Sequence, residues 1–144
     1  EVYSKLGGTL EGVKDTLKLI VGRKKHLEIE FLLVPELNDD RKIFIKMVKW
    51  IRDELGSNIV LHINGYYPCY KLKTPATEKK LLLEFHNLAK KYLNYVYVGN
   101  AGVDIDTVCS CGNIIIRRDG WNIEMVGLSE NGRCNKCGEK VVEI

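Results

Sequence analysis

Four cysteines in two close pairs, Cys109-Ser-Cys111 and Cys134-Asn-Lys-Cys137, stand with 22 residues between the pairs. Each pair can offer two thiolates from one tight turn. A hairpin between the pairs can bring the turns together, which is how a tetrahedral zinc or iron is held. Gly138 follows the second pair and Gly112 the first, so backbone amides can approach the sulfurs at both turns. The first pair is one residue shorter and makes the tighter loop. No histidine lies after His86, which excludes a mixed Cys/His site within this segment. Two disulfides or four free thiols are the alternatives to a metal, and a reducing compartment disfavours the first.

Between the pairs, residues 113–116 and 122–125 read as strands, with Asp119-Gly120 as the hairpin turn because both residues tolerate positive φ. The expectation is a zinc-ribbon or rubredoxin-like β module over 104–144 that holds Zn2+ or Fe, preceded by a separate unit over 1–103. The ribbon carries seven acidic residues against five basic ones, whereas the rest of the chain carries 12 against 17. A ribbon that reads nucleic acid concentrates positive charge, because phosphate neutralisation supplies most of the affinity. This ribbon does not, so a nucleic-acid partner is disfavoured. The 144 residues, 45% hydrophobic, suffice for one modest core and a small metal module. No apolar run approaches the roughly 18 residues of a membrane helix, and no cationic leader is visible. The expected compartment is therefore the cytoplasm, with no membrane partner. The chain starts at Glu1 and reads as a piece of something longer.

The elements of the first unit alternate. Leu10, Val13, Leu17 and Ile20 recur at helical spacing, so a helix is expected over 9–21 with Gly22 as its left-handed stop. A strand is expected over 27–34, ended by Pro35, and Asn38-Asp39 as the cap of a second helix. Phe44, Met47, Val48, Ile51 and Leu55 form that helix's stripe, and Gly56 closes it. A second strand is expected over 59–63. Thr74-Pro75 opens a third helix whose Leu81, Phe85, Leu88, Ala89 and Tyr92 share a face, and a third strand covers 95–98. Such an order favours three parallel strands with right-handed crossovers. Three strands cannot close a barrel and leave two open edges, so the unit reads as part of a larger α/β barrel or as a half-barrel that homodimerises through an exposed strand edge.

In α/β barrels chemistry sits at the carboxyl ends of the strands. If the apolar face of the first strand meets the helices, Glu28 and Glu30 point into the lumen; a solvated face is the alternative for Glu30. His62 and Asn64 lie at the end of the second strand and Asn100 just past the third. A hydrogen-bonded core histidine is the alternative for His62.

The runs Tyr3-Ser-Lys-Leu-Gly-Gly, Leu33-Val-Pro-Glu-Leu-Asn-Asp39, Leu61-His-Ile-Asn-Gly-Tyr-Tyr-Pro68 and Tyr95-Val-Tyr-Val-Gly-Asn100, in this order, carry a resemblance. They resemble the C-terminal half of the AmmeMemoRadiSam-system radical S-adenosylmethionine enzymes, relatives of the pyruvate formate-lyase activating enzymes. The Cys109 to Cys137 segment, with Arg117 and Arg118 inside it, is similar to that family's C-terminal metal ribbon, although the family's usual first pair is Cys-x-x-Cys. The resemblance implies an α/β fold, the C-terminal half of a partial TIM-like radical-SAM barrel. It implies S-adenosylmethionine and a [4Fe-4S] cluster as cofactors of the complete enzyme, and a cluster-bearing N-terminal half as partner. The Cys-x-x-x-Cys-x-x-Cys loop of such a cluster is missing here; Cys69 is the only cysteine outside the ribbon. Glu28, His62 and Asn64 match the family's late-strand pattern as residues lining the cofactor and substrate cavity. The expectation is a C-terminal portion that is inactive alone and carries a structural metal. A non-catalytic zinc-ribbon binding module for a protein or nucleic-acid partner is the competing reading.

Overall fold

The computed structural model describes Tyr3 and residues 7 to 141. The elements run α1 (Leu10–Gly22), β1 (Glu28–Leu33), α2 (Arg41–Glu54), β2 (Val60–Gly65), α3 (Lys79–Ala89), β3 (Tyr95–Gly99), then β4 (Thr107–Val108), β5 (Ile114–Asp119) and β6 (Asn122–Met125). Two compact units result, one running to Ala101 and the other starting at Gly102.

In the first unit β1, β2 and β3 form a parallel sheet in sequence order. Alternation sorts its faces. Leu33, Leu61, Ile63, Val96 and Val98 are buried, whereas Glu28, Glu30 and Leu32 of β1 are exposed and Val60, His62, Asn64 and Tyr97 are half-buried. Burying alternate residues under helices while leaving their neighbours polar is what period-two patterning of a one-sided sheet produces. Phe44 of α2 keys the packing, with ring centroids 5.2 Å from Phe31 of β1 and 4.6 Å from Phe85 of α3. Val48, Ile51, Leu82 and Ala89 fill the same layer.

Several element ends differ from the sequence reading, each for a local reason. Gly22 is the last helical residue of α1, not its stop; the chain turns at Lys24, which takes φ 56°. The cap of α2 is Asp40, whose carboxylate accepts from the Ile43 amide at 2.8 Å. Asn38 is occupied instead in tying the end of β1, accepting from the Val34 amide and donating to the Leu32 carbonyl. Gly56 does close α2, with φ +111°. The third helix starts at Lys79, well after Thr74-Pro75, and Tyr92 lies beyond it. Thr77 is held in extended pairing with Tyr66: its hydroxyl accepts from the Tyr66 amide and donates to the Leu33 carbonyl, joining the ends of β1 and β2.

No residue of α1 is buried, although Val13, Leu17 and Ile20 are half-covered on one side. The helix is held to α2 by a Lys18–Glu54 ion pair at 2.6 Å and by Lys14 and Lys18 over the Trp50 ring. Among the described residues no strand pairs with the outer edge of β1, and no helix is long and apolar enough to cross a membrane.

The second unit is an antiparallel sheet ordered β4-β5-β6. Its third strand, Thr107–Val108, is an addition to the two strands expected. The hairpin loop is Gly120-Trp121, since Asp119 still pairs with Asn122. Gly120 has φ 59° while neither Asp119 nor Trp121 is left-handed, the φ pattern of a type II′ turn and not the doubly left-handed one expected of Asp119-Gly120.

His86 on α3 has a buried Nε2 with no well-formed hydrogen bond among the described residues. Burial is the main cause that holds its pKa below the ordinary histidine value. A depressed pKa means the unfolded chain binds the proton more readily, so this stability is present above the unfolded pKa and is lost as pH falls through the folded one. Thermal unfolding followed by circular dichroism should therefore show the midpoint falling from about pH 6.5 downwards, and His86→Leu should flatten that slope. A slope that His86→Leu leaves unchanged contradicts this account.

Candidate metal centre and the open sheet face

Cys109 and Cys111 sit on the turn between β4 and β5, where Gly112 has φ 81° and its amide donates to the Cys109 carbonyl at 2.9 Å. Cys134 and Cys137 sit on the second turn, where Gly138 repeats the arrangement with φ 76° and a 2.9 Å bond to the Cys134 carbonyl. The two turns face each other, and all four sulfurs lie within 4.8 Å of one another. Cys109 Sγ is 3.6 Å from Cys137 Sγ, and Cys111 Sγ is 3.7 Å from Cys134 Sγ. A tetrahedron with metal–sulfur bonds of about 2.3 Å has edges of about 3.8 Å. The spacing thus fits a four-thiolate ion and is far beyond a disulfide bond. The shorter first pair does not prevent this convergence.

The surroundings treat the sulfurs unequally. For Cys134 burial works upward, but backbone amides of Cys137 and Lys136 and the Asn113 side chain favour the thiolate and bring it down to about 6. For Cys109 the Cys111 amide works downward, yet burial and the neighbouring Cys137 and Cys111 sulfurs push it up to about 12. The Cys134 thiolate is stabilised while neighbouring sulfurs raise Cys109 and Cys137, a conflict that a cation among the sulfurs resolves. The outer contacts are built from residues with no signal in cysteine spacing. Asn113 Nδ2 reaches Cys134 Sγ at 3.5 Å and Asn135 Oδ1 at 2.9 Å. Ser110 donates to Glu139, whose carboxylate also accepts from Cys109 Sγ at 3.4 Å. Gly127 passes so close to β5 that a Cβ there would stand 2.1 Å from the Ile114 carbonyl oxygen and 2.7 Å from Asn113 Nδ2. The buried core beside the site is small: Cys109, Ile115 and Cys134, with Cys111, Ile116, Leu128 and Val141 packed against them.

On the first unit, the structure brings Glu28, His62 and Asn64 to the sheet face that, among the described residues, carries no helix. Glu30 lies opposite His62 and Leu32 opposite Asn64, and the polar groups of β2 reach back diagonally along β1. His62 Nε2 meets Glu28 Oε2 at 2.7 Å, and Asn64 Nδ2 donates to Glu30 Oε2 at 3.3 Å. Glu28 Oε1 is also bonded by His26 Nε2 at 2.8 Å, a partner with no motif to mark it. Hydrogen bonds from His26 and then His62 hold the Glu28 carboxyl below the usual range. The Tyr97 ring lies 5.6 Å from the His62 ring. Gly99 leaves room for the Asn64 amide, whose Oδ1 stands 2.2 Å from where a Cβ would be. Asn100, left-handed at φ 59°, contributes its carbonyl, which accepts from the Tyr67 hydroxyl at 2.8 Å. His62 is thus a partly solvated member of a carboxylate–imidazole pair and not a core residue.

An uncharacterized protein of Methanocaldococcus jannaschii is 37% identical over 139 residues, which cover 92% of this chain and 42% of that protein. The chain therefore spans well under half the length of this relative. No family model matches the chain, and no solved structure matches it.

Replacing Gly127 by Ala forces the Ile114 carbonyl and the Asn113 amide apart beside the sulfurs. Gly127→Ala should cost the metal-loaded ribbon about 1–3 kcal/mol of stability. Competition with a chromophoric chelator should also show weaker zinc retention than in the unmodified chain. Unchanged retention contradicts the packing described.

Proposed function

We propose that this chain is the C-terminal portion of a radical S-adenosylmethionine enzyme, related to the activating enzymes, whose ribbon metal is structural. The observation that carries the reading is a face of the parallel sheet that no described helix covers and that is lined by Glu28–His62 and Asn64–Glu30 pairs. Parallel sheets are ordinarily covered on both faces, and a polar, hydrogen-bonded inner face suits the wall of a barrel cavity. Two further features support it. The helix α1 precedes β1 and buries none of its residues, as a crossover helix does when the strand it should cover lies elsewhere. The outer edge of β1 offers the matching place for that strand.

In such enzymes a [4Fe-4S] cluster and S-adenosylmethionine supply a 5′-deoxyadenosyl radical. This chain does not fit the cluster itself. Its four clustered cysteines are committed to the ribbon, and Cys69 is exposed and alone. What its own residues contribute is binding and orientation. Glu28 fixes the His62 ring from one side, leaving the ring's other nitrogen for a bound molecule, and Asn64 presents an amide toward the carboxyl end of the sheet. A tetrahedral four-thiolate ion has no open position, so the ribbon metal, zinc or iron, stabilises the fold without meeting substrate. The alternative, a metal-ribbon binding module, is favoured by one observation, the fully exposed Trp121 on the hairpin.

The test is anaerobic reconstitution with a separately prepared cluster-bearing N-terminal portion, followed by chromatography for 5′-deoxyadenosine. The expected result is cofactor cleavage by the mixture, none by this chain alone, and less when His62→Ala replaces the native chain. A mixture that contains its full complement of iron and ribbon metal yet behaves no differently from the N-terminal portion alone contradicts the proposal.

A further inference from the structure

The least covered apolar surface among the described residues lies on the ribbon hairpin. Trp121 is 101% exposed, Met125 71% and Ile123 68%. All four residues of β6 are exposed, and β6 pairs only with β5, so its outer edge is open among the described residues. Ile116 pairs with Met125 and Arg118 with Ile123, which puts both apolar side chains of β6 on one sheet face, with Asn122 and Glu124 on the other. Natural edge strands usually carry lysine, proline or a bulge that discourages pairing. β6, short and with the single charge of Glu124, carries no lysine, no proline and no bulge in its pairing with β5.

We propose that β6 is an interface between two copies of this chain, paired antiparallel about a two-fold axis through Ile123. The sequence of the edge selects that axis. An axis between residues would set Ile123 opposite Glu124 and mix polar with apolar on both faces. An axis through Glu124 would oppose two carboxylates, and one through Asn122 would set Met125 against Asp119. Centred on Ile123, the strand is complementary to itself: Ile123 meets Ile123 of the second copy, Asn122 meets Glu124 as a hydrogen-bonding pair, and Trp121 comes level with Met125, a sulfur–aromatic contact. The two three-stranded sheets become one of six, and the apolar row is shared across the seam. This interface is independent of the open edge of β1 and of the proposed enzymatic role.

A charge-swap experiment tests it on the full, metal-loaded chain in reductant, which keeps the exposed Cys69 from cross-linking. Sedimentation velocity from about 10 µM to about 1 mM covers the range expected for a small edge interface. The native chain should shift from monomer to dimer across this range. Ile123→Lys and Ile123→Glu, at an exposed position and so expected to retain metal and circular dichroism, should each stay monomeric. Mixed in equal amounts they should associate again, because position 123 faces itself across the axis. Leu32→Lys, on the other sheet, should leave the dimer unchanged. A native chain monomeric throughout, single variants that dimerise as the native chain does, or a mixture that stays monomeric would overturn the proposal. So would loss of the dimer in Leu32→Lys alone, which points to the β1 edge instead.

Discussion

Four sulfur atoms less than 4.8 Å apart cannot all be thiolates unless a cation lies among them, and the ribbon is built around that constraint. Among the described residues its buried hydrophobic core is Cys109, Ile115 and Cys134, too little apolar area to hold three short strands by burial alone. The turns at Gly112 and Gly138 exist to aim sulfurs, and Gly127 lets the backbone close over them. Metal binding at this site would therefore be coupled to folding of the unit. The same constraint separates structure from chemistry. An ion held by four thiolates has no vacant position, so the side chains with chemical capacity must be sought on the other unit.

There the governing fact is one-sided packing. Phe44 gathers Phe31 and Phe85 under the helices, and alternation then obliges Glu28, Glu30, His62 and Asn64 to share the opposite face. Had that face been made only for solvent, free polar groups would have sufficed. Instead each polar group of β2 is bonded to a carboxylate of β1, and Gly99 provides the space that Asn64 occupies. A relative of much greater length, an amphipathic helix with no fully buried residue and a β1 edge unpaired among the described residues together supply the reasons for the proposed reading of the unit as one part of a larger sheet. The proposed catalytic role rests on that combination.

Much of this was legible in the amino-acid pattern. The apolar stripe Phe44, Val48, Ile51 and the alternation along β1 are read directly from spacing, because burial imposes its own period. The cysteine pairs are legible for a similar reason: ligand geometry tolerates few spacings. Element ends were harder. Competing side-chain hydrogen bonds decide them, as when Asn38 ties β1 and leaves the cap to Asp40, or when Thr77 pairs with Tyr66 and delays α3 to Lys79. Least legible were groups defined only by register. The diagonal reach of His62 to Glu28, the second bond from His26, and the contact of Asn113 with Cys134 depend on which strand lies beside which and with what offset. The short strand Thr107–Val108 escaped because two residues carry no periodicity.

The central claim is that the ribbon ion is closed by four thiolates and is structural. X-ray absorption at the metal edge of the purified chain, recorded with and without S-adenosylmethionine, tests it most directly. The account predicts a single shell of four sulfur scatterers at about 2.3 Å, with no nitrogen, oxygen or second metal and no change on adding the cofactor. A metal–metal distance, a light-atom ligand, or a shell altered by S-adenosylmethionine would contradict it and return the chemistry to the cysteines.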